Sequence, residues 1–139
     1  MKILYDFQMF DAQIFGGISR YFANLIAGLD KSRGIEAEVS VLFTKNYYLK
    51  DKRKWKINQF AGKLLFSNHQ RLRSWNKNYS KFRIAKGDFD IFHSTYFHPY
   101  FLKFLKKPFI ITVHDMIYEL FPEYFSAIDF TAQHKRKVI

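Results

Sequence analysis

At 139 residues and 48% hydrophobic composition, the chain is long enough for one compact domain that buries roughly two thirds of its unfolded surface. It contains no cysteine, which excludes disulfide bonds, thiolate zinc sites, iron–sulfur clusters and a cysteine nucleophile. No apolar run approaches the ~18 residues that a membrane-spanning helix needs, and Asp6 interrupts the N-terminal run too early for a signal peptide.

The net charge of +11 is concentrated in one part of the chain. Residues 45–86, called the basic segment below, hold thirteen Lys or Arg and one acid, Asp51. The rest of the chain holds ten basic and eleven acidic residues and is therefore close to neutral. A charge imbalance localised in this way indicates an anionic partner that meets the basic segment.

The N-terminal pattern is typical of a βαβ unit. A β-prone run over residues 2–7 leads into a loop with Gly16-Gly17, and apolar residues then recur at helical spacing over 18–29. Apolar and polar residues alternate over 37–43, as they do in a half-buried strand. Such a unit favours a parallel sheet with a right-handed crossover.

Within the basic segment, apolar residues over 57–79, Trp75 and Tyr79 among them, keep a roughly helical spacing. This spacing predicts one long or kinked amphipathic helix whose basic residues lie in solvent. Two further strands are predicted at 89–93 and 109–113, and the second is apolar enough to lie buried in the sheet.

The remaining elements complete an α/β pattern. A short helix is predicted at 100–105, and a final helix begins after a capping residue, Ser126, and continues to Ile139 without a stop signal. Together these elements predict a Rossmann-like open parallel sheet with flanking helices and the strand order 2-1-3-4. Ligands of such sheets bind beyond the carboxyl ends of the strands, so the polar residues there are candidate site residues.

Gly16 and Gly17 directly precede a predicted helix, where free backbone N–H groups and the helix dipole favour a phosphate or another anion. The pattern matches neither the dinucleotide-binding glycine motif nor the P-loop. A tight turn that merely opens the helix remains an equal alternative.

His114 and Asp115 follow the fourth predicted strand. An imidazole there can bond a substrate hydroxyl or move a proton, and a carboxylate can orient it. The alternative is that His114 bonds a loop carbonyl while Asp115 caps a turn. A metal site built from His93, His98 and His114 is disfavoured because their spacing lacks the pattern typical of zinc ligands.

Five motifs in order resemble the N-terminal domain of group 1 glycosyltransferases, which are family 4 enzymes with the GT-B fold. The matching stretches are MKILYD at 1–6, GGISRY at 16–21, DIFHSTY at 90–96, TVHDMI at 112–117 and FPE at 121–123. The resemblance covers nearly the whole chain and is weakest in the basic segment. It implies that the chain is an incomplete acceptor-side domain, with a basic helical insertion at about 45–86 and without its C-terminal donor-binding domain.

The resemblance also implies a reaction and a set of roles. Such enzymes transfer a sugar from a nucleotide-sugar donor to a glycan or lipid-linked acceptor with retention of configuration, and they need no metal or other cofactor. Gly16 and Gly17 would then lie against the donor phosphates or the transferred sugar, His114 would face that sugar, and Asp115 would support the loop. Arg20 and Tyr96, in the same motifs, become candidate substrate-binding residues. Without the donor-binding domain, we expect no useful turnover.

The basic segment indicates where the protein acts in the cell and also allows an alternative function. Its most concentrated charges are candidate contacts to an anionic membrane surface: Lys50, Lys52, Arg53, Lys54 and Lys56. This pattern predicts a cytoplasmic protein that is peripheral on the membrane, where a lipid-linked acceptor is presented. The alternative is an α/β module that binds a polyanion or, less favoured, nucleic acid, with aromatic rings among the cations to stack on bases.

Overall fold

The computed structural model describes residues 1–29, 31, 34–49, 69–125 and 130–139. These residues form a four-stranded sheet in the order β2-β1-β3-β4, with every neighbouring pair parallel. The strands are β1 (Lys2–Tyr5), β2 (Glu36–Val39), β3 (Ile91–Ser94) and β4 (Phe109–Ile111). The predicted α/β fold and strand order are therefore confirmed.

Helices flank this sheet. The described α-helices are α1 (Gln8–Ala12), α2 (Gly17–Leu29), α3 (His69–Lys86), α4 (Ile117–Leu120) and α5 (Phe130–Lys135). Short 3₁₀ helices cover Tyr47–Leu49, Pro99–Phe101 and Pro122–Tyr124. Right-handed crossovers in opposite directions along the sheet place α2 and α3 on opposite faces.

The core lies between the sheet and these two helices. In β1, the consecutive residues Ile3, Leu4 and Tyr5 are all buried, which is the burial expected of a central parallel strand covered on both faces. The Tyr5 ring packs against Phe22 of α2, with ring centroids 6.1 Å apart. Because the central strands are enclosed in this way, their carboxyl ends are held rigidly at one edge.

α3 buries a different stripe from the one that the apolar pattern predicts. Leu72, Asn76, Ser80 and Ile84, each four residues from the next, are buried, whereas Trp75 is exposed. The buried polar residues are stabilised by hydrogen bonds: the Asn76 side chain accepts from two backbone N–H groups and donates to the Phe43 carbonyl. Trp75, one of the residues at helical spacing, therefore lies outside the buried stripe of α3. The part of the predicted helix before residue 69 lies outside the described residues.

β4 corrects another expectation. Its apolar sequence predicts a strand buried in the sheet, but Phe109 and Ile110 are 40% and 44% exposed. The reason is its position: β4 is at the edge of the described sheet and pairs only with β3 there. An apolar, β-branched run identifies a strand without specifying what covers its outer face.

Smaller differences concern element ends. The predicted loop between β1 and α2 contains the one-turn helix α1, and β2 ends at Val39 rather than at residue 43. The predicted helix at 100–105 is a 3₁₀ turn at Pro99–Phe101, and α5 spans Phe130–Lys135 of the predicted final helix. Ser126, its predicted cap, lies outside the described residues.

Candidate functional site

The carboxyl ends of β1 and β3 are joined through one buried carboxylate. Asp6 Oδ1 accepts hydrogen bonds from the Thr95 backbone N–H at 2.9 Å and the Thr95 hydroxyl at 2.5 Å. Its Oδ2 accepts from the Gln8 amide at 2.6 Å and the Tyr100 hydroxyl at 3.2 Å. Burial raises the pKa of Asp6, and the bonds from Thr95 and Gln8 partly offset this effect.

Gln8 fixes the loop that follows β3. Its Nε2 lies 3.2 Å from both the Tyr96 and the His98 carbonyl oxygens, while its Oε1 accepts from the His98 backbone N–H at 3.0 Å. Tyr96, a predicted substrate-binding residue, is thus held through its backbone. Its half-buried ring packs against Phe97, with centroids 4.9 Å apart.

The polar network continues from this edge toward α3. The Tyr100 hydroxyl lies 2.6 Å from Ser80 Oγ, which lies 2.7 Å from Ser40 Oγ. Burial, followed by the nearby Asp6 charge, raises the pKa of Tyr100 well above its usual value, so this hydroxyl stays protonated. A chain of buried hydrogen bonds therefore links three strands to α3 just below the sheet edge.

The glycine loop opens α2, and its two glycines differ. A Cβ on Gly16 would lie 2.2 Å from Gln13 Oε1, whereas one on Gly17 would meet nothing within 4 Å. Gln13 Oε1 accepts from the Ser19 backbone N–H at 3.1 Å, so it occupies one donor that the sequence pattern left open to an anion. Arg20, one turn into α2, is exposed.

His114 packs on α2 close to these glycines. Its ring meets Tyr21 and Phe22 edge-on, with centroids 5.6 Å away in both cases. Since Tyr21 lies four residues after Gly17, His114 is about one helical turn from the glycine loop. Burial lowers the pKa of His114, which is therefore neutral at pH 7. Its Nε2 is buried without a hydrogen-bond partner among the described residues.

Asp115 does not orient His114 through a hydrogen bond. Its Oδ1 accepts from the Ile117 backbone N–H at 3.4 Å, which is the turn-capping role given above as the alternative. The loop is instead tied down by Lys135 of α5, a fully buried lysine. Lys135 Nζ donates to the Asp115 carbonyl and, at 2.8 Å, to Glu119 Oε2.

The structure thus brings Gly17, Arg20 and His114 to one side of the sheet edge. The predicted membrane contacts Lys50, Lys52, Arg53, Lys54 and Lys56 lie outside the described residues. Within the described part of the chain, no group of three or more His, Cys, Asp or Glu residues could hold a metal ion.

Sequence reasoning missed three residues that organise this edge: Gln8, Gln13 and Lys135. The position of Asp6 directly after a strand was a usable signal for a hydrogen-bonded hub, because a buried carboxylate needs donors from neighbouring strands. Gln13 and Lys135 carry no such signal, since their partners lie 6 and 20 residues away in the chain.

Comparison with known proteins identifies the family. The family model of Glycosyltransferase Family 4 matches residues 15–137, which include α2, the loop after β3 and His114. Comparisons with curated proteins and with solved structures each found no match. Among the described helices, none combines the length and apolar character required to cross a membrane. The extent of the family match covers most of the sequence, and the chain belongs to Glycosyltransferase Family 4.

Proposed function

We propose that this domain forms the acceptor side of a retaining glycosyltransferase, which transfers a sugar from a nucleotide-sugar donor to a glycan or lipid-linked acceptor. The observation that carries the proposal is the family match over residues 15–137, together with His114 seated on the start of α2. That match supports a glycosyltransferase in general. The reaction's stereochemistry and its substrates are our inference.

His114 is the proposed contact to the transferred sugar. A neutral imidazole can donate from one nitrogen and accept at the other, which suits a sugar hydroxyl better than a cation does. The lowered pKa of His114 keeps the ring in this neutral form at pH 7. We assign the half-buried His114 ring to the sugar, while Asp115 supports the loop through its bond to Ile117.

Gly17 and Arg20 are proposed to face the donor. The space around Gly17 is open, so a ligand could approach the backbone closely there, and Arg20 would supply a positive charge near a phosphate. In this proposal, a second, C-terminal domain of the same polypeptide grips the nucleotide. The proposal assigns no metal or other cofactor to the reaction; protein groups would balance the charge on the leaving diphosphate.

An exposed pair of aromatic rings supports a glycan acceptor. Phe15 and Tyr47 are 66% and 54% exposed, and their centroids lie 5.2 Å apart beside Gly16. Large apolar rings left in water next to a site commonly mark a ligand surface, and the C–H faces of a sugar would cover them. Tyr96 would contact the acceptor from the loop after β3.

The test is turnover of the complete gene product with a panel of nucleotide sugars, read as release of nucleoside diphosphate. We expect His114→Ala to lower kcat by about 100-fold or more. This change breaks no hydrogen bond at Nε2, but it removes the edge-on ring contacts to Tyr21 and Phe22, so we expect a loss of about 1 kcal/mol in stability and use circular dichroism to verify that the variant is folded. Wild-type turnover in the variant would contradict the assigned role of His114.

A further inference from the structure

A second concave surface lies at the same edge of the sheet, on the α3 side. This cleft has a volume of about 420 Å³ and opens between α3 and the loops that follow β1 and β3. Its polar lining includes Gln8, Arg73, Ser74, Lys77, His98 and Tyr100. We call it the α3 cleft. None of the roles given above to His114, Gly17 or Arg20 uses it.

The α3 cleft carries an excess of positive charge. Arg73 and Lys77 are one helical turn apart, and no acid in the described part of the chain pairs with Lys77. The nearest acid to Arg73 is Asp11, at 3.9 Å from its Nε, and the Arg73 side chain remains mostly exposed. Burial and the neighbouring charges of Lys81 and Arg73 lower the pKa of Lys77. An anion in the cleft would relieve this repulsion.

His98 provides a neutral donor beside these cations. Its Nδ1 accepts a hydrogen bond from the Tyr100 backbone N–H at 3.2 Å, so the proton of the neutral ring is on Nε2. The pKa of His98 falls to about 4 because of burial and of the charges of Lys77, His134 and Arg73. The ring is therefore neutral at pH 7 and offers an N–H donor without adding charge.

The carboxylate beneath the cleft does not compete for this space. Asp6 is fully buried behind Gln8 and Tyr100, and its two oxygens are occupied by the donors described above. Gln8 is likewise held in place by its bonds to the loop after β3. The floor of the α3 cleft is thus preorganised, while its charged groups project from α3.

We propose that the α3 cleft binds a phosphate or diphosphate group carried by the acceptor, with Arg73 and Lys77 as charge partners and His98 and Ser74 as hydrogen-bond donors. The inference rests on the proposed function and adds the chemical class of the acceptor. Arginine can bind two phosphate oxygens at once, and lysine adds a point charge. The volume of the cleft exceeds that of a phosphate group, which leaves room for the part of the acceptor attached to it.

The first test measures binding of inorganic pyrophosphate to the chain by calorimetry at constant ionic strength. We expect Arg73→Gln and Lys77→Gln each to weaken binding about tenfold, since each removes one charge partner. Lys103→Gln is the matched control, because Lys103 is an exposed lysine outside the cleft and its loss changes the net charge equally. Circular dichroism verifies that all variants are folded. Equal weakening by the control, or the absence of pyrophosphate binding at millimolar concentration, would overturn the proposal.

A second test identifies the source of the phosphate group. One arm asks whether a soluble sugar 1-phosphate displaces pyrophosphate, and the other asks whether neutral phosphatidylcholine vesicles recruit the chain once they contain a polyprenyl phosphate. Either result, abolished by Lys77→Gln and retained by Lys103→Gln, supports the proposal and names the source. Failure of both arms overturns it. Both readouts are binding, so a protein that binds these phosphates but transfers no sugar would refute the proposed function and leave the α3 cleft as a phosphate site.

Discussion

Gly16 and Gly17 are neighbours in the chain, yet the structure predicts different effects on stability for the same substitution at the two positions. Gly16→Ala would place Cβ 2.2 Å from Gln13 Oε1 and would displace the side chain that accepts from Ser19 N–H. We expect a loss of about 1 kcal/mol in the free energy of unfolding, typical of a lost hydrogen bond at a helix start. Gly17→Ala meets open space and should leave stability unchanged. Urea unfolding of both variants measures the difference.

The two glycine variants also separate stability from function. If a ligand approaches the backbone at Gly17, Gly17→Ala lowers turnover although the protein is as stable as wild type. Equal stability losses in both variants would mean that the clash with Gln13 is not the cause of the loss at Gly16. Unchanged turnover in Gly17→Ala would remove Gly17 from the proposed donor contacts.

The buried His93 should account for part of the pH dependence of the free energy of unfolding. Its side chain is 6% exposed, and its pKa falls to about 4 through burial and repulsion from His114. Well above pH 6.5, neither the folded nor the unfolded chain carries a proton on His93. As the pH falls from about 6.5 to 4, the unfolded chain gains a proton that the folded chain does not, so stability decreases by about 1.4 kcal/mol per pH unit for this group.

His93→Gln tests this expectation because glutamine retains a hydrogen-bonding group for Thr112, which lies 3.0 Å from His93 Nε2. Urea unfolding between pH 4 and 7 should give a slope smaller by about one proton in the variant. Asp6, whose raised pKa acts in the opposite direction, is present in both proteins and cancels in the comparison. An unchanged slope would show that His93 does not remain neutral in the folded chain.

At the level of elements, the sequence predicts a strand best where both faces of that strand are buried. β1 and β3 are central strands that lie between two neighbours, and their parallel pairing follows from the crossovers. β4 has an apolar sequence but lies at the edge of the described sheet, and its exposure depends on neighbours that its own residues do not encode.

α3 shows a second limit of pattern reasoning. Its buried stripe includes Asn76 and Ser80, which an apolar pattern counts as solvent-facing. Each is buried because a distant partner satisfies it: Asn76 bonds the backbone at Leu42 and Phe43, and Ser80 joins Ser40 to Tyr100. Such partners are set by the packing of α3 on the sheet and are not visible in local sequence.

In the candidate site, too, local sequence locates some residues, whereas distant contacts determine others. The glycine loop and His114 could be predicted because strand ends and helix starts locate them along the chain. The groups that hold them could not: Gln13 reaches across the start of α2, and Lys135 reaches the loop at Asp115 from α5. Sequence position therefore indicates which residues face the edge of the sheet, whereas the surrounding fold determines which hydrogen bonds remain open to a ligand.

At the scale of the whole molecule, the two faces of the sheet carry different ligand surfaces at one edge. His114 and Gly17 lie on the α2 side, while Arg73 and Lys77 lie on the α3 side. The buried bonds from Asp6 to Tyr100 and Ser80 connect the strands to α3 between them. In our proposals, the acceptor's phosphate on one side and the transferred sugar on the other are thus positioned by one rigid edge.

The concentration of charge in the basic segment predicts recruitment to an anionic membrane. Each Lys or Arg near an anionic leaflet contributes about 1 kcal/mol, and the attraction weakens as salt rises. We expect co-sedimentation with vesicles that contain anionic lipid, and little with neutral vesicles. Binding to the anionic vesicles should be weaker at physiological than at low ionic strength. Reversing Lys52, Arg53 and Lys54 to Glu should abolish the binding to anionic vesicles while the protein stays folded.

The matched control reverses three exposed lysines outside the basic segment, Lys103, Lys106 and Lys137, and makes the same change in net charge. If position in the basic segment determines recruitment, this control retains most of the binding. Equal loss in both variants would mean that total charge alone drives the association. Binding that does not depend on lipid charge would contradict the membrane proposal. Salt-sensitive binding that is tighter to single-stranded nucleic acid than to vesicles would favour the rival polyanion function, because bases can stack on aromatic rings and a bilayer surface cannot.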